Sequence, residues 1–433
     1  MSASDKASPE LLRAVSRWQL VGLAINDVVG SGIYLLPAAA AALLGAASLW
    51  AVALAGLAVG LLVLCFAEAS SYFDEPGGAY LYTREAFGSF VGFEVGWMTW
   101  LARVASIASL ANGLVQATTY FSLRVASGWP RAAIISTVVV LLAWINVLGV
   151  KAGARTAVGL VIAKMLPLVF FIAVGGWFVV GSRLTVLEAP HGGSLGQAAL
   201  LLLFAYAGFE NTPAAAGEYR NPRRDVPFAL LVMILTVTLV YSAVQLVALG
   251  TLPELARSSS PLAEAAGRFA GPWGAWLLTA GAMLSIIGNA GNTTLIGPRY
   301  LFALASDGYG PRRLARVHAD YHTPAVAIVV QTVIVLALAL SGSFVELATL
   351  SVIARGTTYI GTAAALPLLR RRMAARSDAV RLPLGATIPM AALVLAIALL
   401  ASAEETSLLA AAAALAVGGV IYCFRRSKSS PAP

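Results

Sequence analysis

Ser31 stands between two glycines in the stretch Asp27-Val28-Val29-Gly30-Ser31-Gly32-Ile33-Tyr34-Leu35-Leu36-Pro37, inside an apolar run long enough to cross a bilayer. Each Gly costs a helix about 1 kcal/mol relative to Ala. In a membrane, an interrupted backbone also finds no water for its N–H and C=O groups. A Gly-Ser-Gly break there calls either for tight packing of a neighbouring helix or for a ligand. If the chain unwinds, the N–H groups of Ser31, Gly32 and Ile33 and the positive end of the following half-helix face the gap, which favours a carboxylate. Val28 borders the same gap as a small apolar residue. A second break lies in Phe204-Ala205-Tyr206-Ala207-Gly208-Phe209-Glu210, followed by Asn211, Thr212 and Pro213. Unwound carbonyls around Phe204, Ala205, Ala207 and Gly208 could accept hydrogen bonds from an ammonium group. Two interrupted helices at corresponding places in two halves point to a transport site.

Charged residues at membrane depth are costly and imply a function or a partner. Lys164, in Ala163-Lys164-Met165-Leu166-Pro167, is one. Burial would make it a proton donor. Fixed in its charged form, it would tether helices. Glu210 follows the second break and suits either a proton site or a cap. Asp27 lies three residues before Gly30 and could pair with a basic group or end a half-helix. Arg103 and Arg355 are also at depth and are expected to face a polar interior. Asn289, Asn292, Thr293 and Thr294 suit either a pathway lining or inter-helix hydrogen bonds. His191, His318 and His322 have no metal-site spacing, and Cys65 and Cys423 form no disulfide framework. No nucleophile or paired acid–base pattern suggests an enzyme. No Gly-x-x-x-x-Gly-Lys motif suggests ATP-driven transport. The chemistry therefore needs neither a metal nor a cofactor.

The elements that must position these residues follow from composition. The chain has 433 residues, 59% hydrophobic and 11% charged, against roughly 25% charged in soluble domains. That excludes a soluble fold and makes it a polytopic all-α membrane protein. The net charge of +9 does not indicate nucleic acid, because the basic residues occupy short loops. Apolar runs predict twelve transmembrane helices at 18–44, 48–70, 90–123, 132–150, 156–181, 195–219, 226–250, 273–306, 324–341, 344–369, 386–401 and 408–424. One set of alternate loops and tails holds Lys6, Arg13, Arg17, Arg84, Lys151, Arg155, Arg220, Arg223, Arg224, the arginines of 312–316, 370–381 and 425–426, and Lys428. The other set holds Arg124, Arg131, Arg183, Arg257 and Arg268. The asymmetry puts both termini in the cytoplasm. The breaks fall in helices one and six, five helices apart, so the halves must be inverted. The expected organisation is a cytoplasmic tail (1–17), a first inverted repeat (18–181), a second (195–369), two added helices (386–424) and a cytoplasmic tail (425–433).

Several motifs agree with one family. Gly30 to Pro37, Glu75-Pro76-Gly77-Gly78-Ala79-Tyr80, Phe204 to Glu210, Ala216-Gly217-Glu218, Asn221-Pro222-Arg223-Arg224-Asp225-Val226-Pro227 and Asp307-Gly308-Tyr309-Gly310-Pro311 stand in this order. Together they resemble the amino acid–polyamine–organocation (APC) transporters across helices one to eight. The resemblance implies a LeuT-like five-plus-five inverted-repeat fold, with helices 1 and 6 unwound at the midplane, and alternating-access transport of amino acids or related amines. It implies that carbonyls of 204–208 hold the substrate amine, that Phe204 acts as an aromatic gate, and that Lys164 stands near the place of sodium in sodium-coupled relatives. Arg355 departs from the family pattern. The expectation is a sodium-independent carrier of L-amino acids in the cell (inner) membrane, working by proton symport or exchange. The small residues around both breaks favour a neutral side chain. The alternatives are an exchanger of amines, polyamines or cationic amino acids, and an amino acid sensor that moves nothing. Its partners would be the amino acid, the lipid bilayer and protons.

Overall fold

The computed structural model describes residues 15–73, 77–149, 154–186, 192–213, 219–374 and 379–424. Lys6, Arg13, Glu75, Pro76, Lys151, His191, Arg376 and Lys428, and the residues 216–218 and 425–426, lie outside them. The helices in order are α1 (Arg17–Val28), α2 (Gly32–Leu44), α3 (Ser48–Ser71), α4 (Gly78–Phe87), α5 (Ser89–Thr118), α6 (Gly128–Leu148) and α7 (Ala154–Gly175). They continue with α8 (Gly192–Tyr206), α9 (Pro222–Thr251), α10 (Pro261–Ser306), α11 (Ala325–Ser341), α12 (Phe344–Arg372), α13 (Thr387–Leu400) and α14 (Glu405–Cys423). The β pairing among the described residues is an isolated parallel bridge between Val15 and Tyr219. Helical stretches long and apolar enough to cross a membrane include α5, α6, α9, α10 and α14, with α8, α11 and α13 shorter but apolar.

A helix of 12 residues and one of 13, α1 and α2, replace the first expected span. At 1.5 Å per residue each is about 20 Å long, too short to cross a hydrocarbon core of roughly 30 Å alone. A span here would need both, joined through Val29, Gly30 and Ser31. The long helix α5 is buried along most of its length and packs against α10 and α12, while α3 packs on α9 and α8, and α1 on α9 and α7. Outer helices turn large apolar side chains outward: Leu235 and Leu239 on α9 are each 72% exposed. In water such a surface would drive aggregation; in hydrocarbon it costs nothing.

Two expected boundaries move and one helix is new. The sixth run, expected over 195–219, ends as a helix at Tyr206 and continues as a 3-10 turn over Phe209–Asn211. The eighth begins at Pro261 rather than 273, with a bend at Gly271, whose φ of 65° lies outside the helical range. Helix α4 was not expected, because its ten residues bury one face (Ala79, Leu81, Tyr82, Ala86) without forming a long apolar run.

One end of the bundle is stitched by charge. Arg17 Nε donates to Asp225 at 2.9 Å, joining the start of α1 to the start of α9. Arg370 makes two hydrogen bonds of 2.6 Å to Glu68, joining α12 to α3. Tyr80 of α4 donates to Asp307, after α10, at 2.9 Å. Burial beside this carboxylate pushes the Tyr80 phenol up to about 12.

Candidate functional site

A helix that stops leaves its last carbonyls without intrahelical partners. At the end of α1 each has a donor from another element. Lys164 Nζ, fully buried, reaches the Asn26 and Val29 carbonyls at 3.4 Å each. Asn289 Nδ2 reaches the Asp27 carbonyl at 3.2 Å, and the Tyr241 hydroxyl reaches that of Val28 at 3.3 Å. Ser285 Oγ lies 3.1 Å from Val29 O and 3.3 Å from Gly30 O. A cationic ammonium is well placed there, because a helix C-terminus is partially negative. The lysine thus ties α7 to the end of α1, and Tyr34 of α2 donates back to the Lys164 carbonyl at 3.0 Å.

The beginning of α2 is different. Tyr34 and Leu35 N–H groups both donate to the Ser31 carbonyl. Among the described residues, the N–H groups of Ser31, Gly32 and Ile33 donate to no backbone carbonyl. The Ser31 hydroxyl is wholly buried and has no hydrogen-bond partner. Unsatisfied buried polar groups cost about 1–3 kcal/mol each, so three donors and a hydroxyl left open at one helix start form a prepared site for an acceptor.

The two breaks touch each other. A Cβ on Gly32 would fall 2.5 Å from Ala205 Cα, and a Cβ on Gly208 2.4 Å from the Asp27 carbonyl oxygen. Gly208 also has φ 127°, outside the reach of most L-residues. Both glycines are therefore demanded by the crossing of the breaks. Ala205 packs into this crossing, with its carbonyl accepting from Tyr241 at 2.9 Å. The Phe204 carbonyl accepts from Ala207 N–H at 3.2 Å.

A cavity lies between the breaks, walled by Val28, Gly30, Ser31 and Gly32 on one side and Phe204 and Ala207 on another. Ser106 and Leu110 of α5, Asn289 of α10 and Arg355 of α12 complete it. The space open to the centre of a water-sized sphere is about 20 Å³, room for roughly one water. Phe204 meets Phe344 edge-on, with ring centroids 6.0 Å apart. Phe344 starts α12, at the end opposite Arg370, so this aromatic contact lies on the side away from the charged stitching.

Of the residues singled out from the sequence, Val28, Ser31, Gly32, Phe204, Ala207, Asn289 and Arg355 border this cavity; Ala205 and Gly208 lie where the two breaks touch, and Ile33 is buried. Lys164 lies behind the first break. Asp27 accepts from Asn292 Nδ2 at 2.6 Å. Glu210 accepts the Gly208 N–H at 3.0 Å and forms a buried ion pair with Arg355. Arg103 donates to Asn211 and lies over the Tyr300 ring, 5.3 Å from its centroid. Sequence reasoning did not single out Ser106, Tyr241 or Ser285. For Ser285 a signal existed: Ser285, Asn289, Asn292 and Thr293 recur at helical spacing on one face of α10. Among the described residues no cluster of three His, Cys, Asp or Glu could hold a metal.

The family described as Amino acid permease matches residues 15–426. The chain is 28% identical over 425 residues to the serine/threonine exchanger SteT of Bacillus subtilis (strain 168), covering 94% of this chain and 96% of that protein. It is 26% identical to the branched-chain amino acid permease BcaP of the same organism, covering 99% and 96%. It is also 26% identical to the vacuolar cationic amino acid transporter 4 of Arabidopsis thaliana, covering 83% of this chain and 63% of that protein. This multi-pass membrane chain belongs to the amino acid permease family, whose members are membrane transporters rather than enzymes.

Proposed function

We propose that the chain is a secondary carrier of L-amino acids that works by alternating access without sodium, by exchange or proton symport. The single observation that carries this is the cavity between the two breaks, with open N–H donors and the partnerless Ser31 hydroxyl on one wall. The substrate carboxylate binds Ser31, Gly32 and Ile33. Its ammonium group binds carbonyls of 204–208, of which Phe204 and Ala207 border the cavity. The fold is a five-plus-five inverted repeat of twelve spans, 18–181 and 195–369 with 386–424 added, and both termini face the cytoplasm. Phe204 closes the outer path, and the contacts of Arg17, Arg370 and Tyr80 close the inner one. Rocking of the bundle that contains α1 and α8 alternates the two. Lys164 holds the end of α1 where a sodium ion would otherwise do so, and Asp27 and Glu210 take part in coupling.

A second reading, exchange of amines or cationic amino acids, draws on the nearby carboxylates of Asp27 and Glu210. Arg355 on the cavity wall weighs against it, since a guanidinium repels a cationic side chain. Uptake of labelled amino acids into liposomes containing the purified protein tests the proposal. Flux that persists in choline buffer supports it. Flux that requires sodium would overturn the sodium-independent cycle, and ligand binding without flux would leave a sensor.

A further inference from the structure

We infer that Arg355 selects an amino acid with a carboxylate side chain, such as glutamate or aspartate; this rests on the cavity being the transport site, as proposed above. Five ionisable side chains gather around the two breaks. Asp27 feels Lys164, Arg103 and Glu210 as its charged neighbours, and Glu210 is paired with Arg355. In their usual charge states the five carry three positive charges and two negative ones. The cluster as a whole keeps one net positive charge in a buried, low-dielectric place, which is costly.

Position decides where the missing charge belongs. Of the five, Arg355 borders the cavity, whereas Lys164 is spent on the end of α1. An arginine cannot lose its proton to relieve the imbalance. Its Nη1 donates to Glu210, its Nη2 to Ser106 at 2.7 Å and its Nε to Ser351 at 3.3 Å. With Tyr359 also in hydrogen-bonding range, at least one of the five guanidinium N–H donors remains. Arg355 and Ser106 stand on α12 and α5 and border the same cavity as Ser31 and Gly32. A substrate held at its α-carboxylate by Ser31 and Gly32 therefore shares that cavity with them. A side-chain carboxylate completes the charge balance and forms a charge-assisted hydrogen bond. A neutral side chain leaves the net positive charge of the cluster in place, and a cationic one adds repulsion. This moves the expected substrate away from the neutral side chain that the small residues around the breaks suggested.

The test is counterflow into liposomes preloaded with unlabelled substrate, comparing glutamate, aspartate, glutamine, leucine and lysine. Glutamine matches glutamate in shape and lacks its charge. The expected result is a kcat/KM for glutamate or aspartate roughly tenfold or more above that for glutamine, with lysine excluded. Arg355→Lys keeps the preference for glutamate over glutamine. The double variant Glu210→Gln, Arg355→Ser removes the ion pair as a unit and brings the ratio towards one. If the double variant fails to fold, the wild-type ratio decides alone. Glutamine or leucine moving as well as glutamate overturns the inference and leaves the transport proposal standing. No flux with any amino acid overturns both.

Discussion

Ser31 and Gly208 carry the two kinds of demand that the breaks impose. Ser31 supplies an open hydroxyl and Gly208 supplies room. Replacing Ser31 with Ala removes one hydrogen bond to the substrate, a loss of about 1 kcal/mol. The expected outcome in initial-rate uptake is a KM raised roughly fivefold, with the protein still folded; an unchanged KM would take the hydroxyl out of the site. Gly208→Ala puts a methyl group 2.4 Å from the Asp27 carbonyl oxygen at a φ of 127°. The break must shift to relieve it, so transport is expected to fall below a tenth of wild type in the same assay (about 1.4 kcal/mol or more). Retained flux would show that the breaks need not cross so closely. Single residues were unevenly legible. Gly30, Ser31 and Gly32 announce themselves because such a run in a membrane helix calls for close packing or a ligand. Tyr241 gave no signal, because one hydroxyl in an apolar helix looks like core until the carbonyls it caps are known. The partner of Arg355 was equally hidden, since pairing with Glu210 depends on how α8 and α12 meet.

At the scale of elements, the end of α1 is held by α7, α9 and α10 together, through Lys164, Tyr241 and Ser285 or Asn289. Lys164→Met keeps the apolar volume and removes the charge. The Asn26 carbonyl then loses its donor, at a cost of about 1–3 kcal/mol. The expected outcome is a lower unfolding temperature in detergent and reduced flux. An unchanged thermal midpoint together with unchanged flux would remove Lys164 from both the tether and the cycle. The positions of most helices followed from apolar runs, because a bilayer fixes how long such a run must be. The ends of α8 and α10 did not. Apolar composition continues past Tyr206, where the backbone turns at Gly208, and the bend at Gly271 joins a helix that begins twelve residues earlier than hydropathy suggested. Helix α4 lies outside any such criterion, since it buries one face of a short polar segment.

At the scale of the molecule, Phe204 meets Phe344 near the start of α12, while Arg17 meets Asp225, Arg370 meets Glu68 and Tyr80 meets Asp307 at the other end. The proposed cycle makes these two sets of contacts its gates. Glu68→Gln removes the carboxylate that holds Arg370 and the Leu382 N–H. Weakening one gate shifts the population towards the conformation open on that side. A single cysteine placed at Ala207, in a background with Cys65→Ala and Cys423→Ser, reads this out. Its labelling by a small charged thiol reagent from the Arg370 side is expected to rise several-fold with Glu68→Gln. Equal labelling with and without the substitution would mean that this contact does not gate the path.

The central claim is that the crossing of the two breaks forms the transport site. Counterflow of labelled amino acids in liposomes, comparing wild type with Gly32→Val, tests it most directly. A valine side chain would enter the space held by Ala205, whose Cα already lies 2.5 Å from a Cβ at that position. The account predicts accumulation of label by wild type and its loss in the variant, with the variant still monodisperse in detergent. Accumulation by Gly32→Val at the wild-type rate, or none by wild type under any counter-substrate, would contradict it.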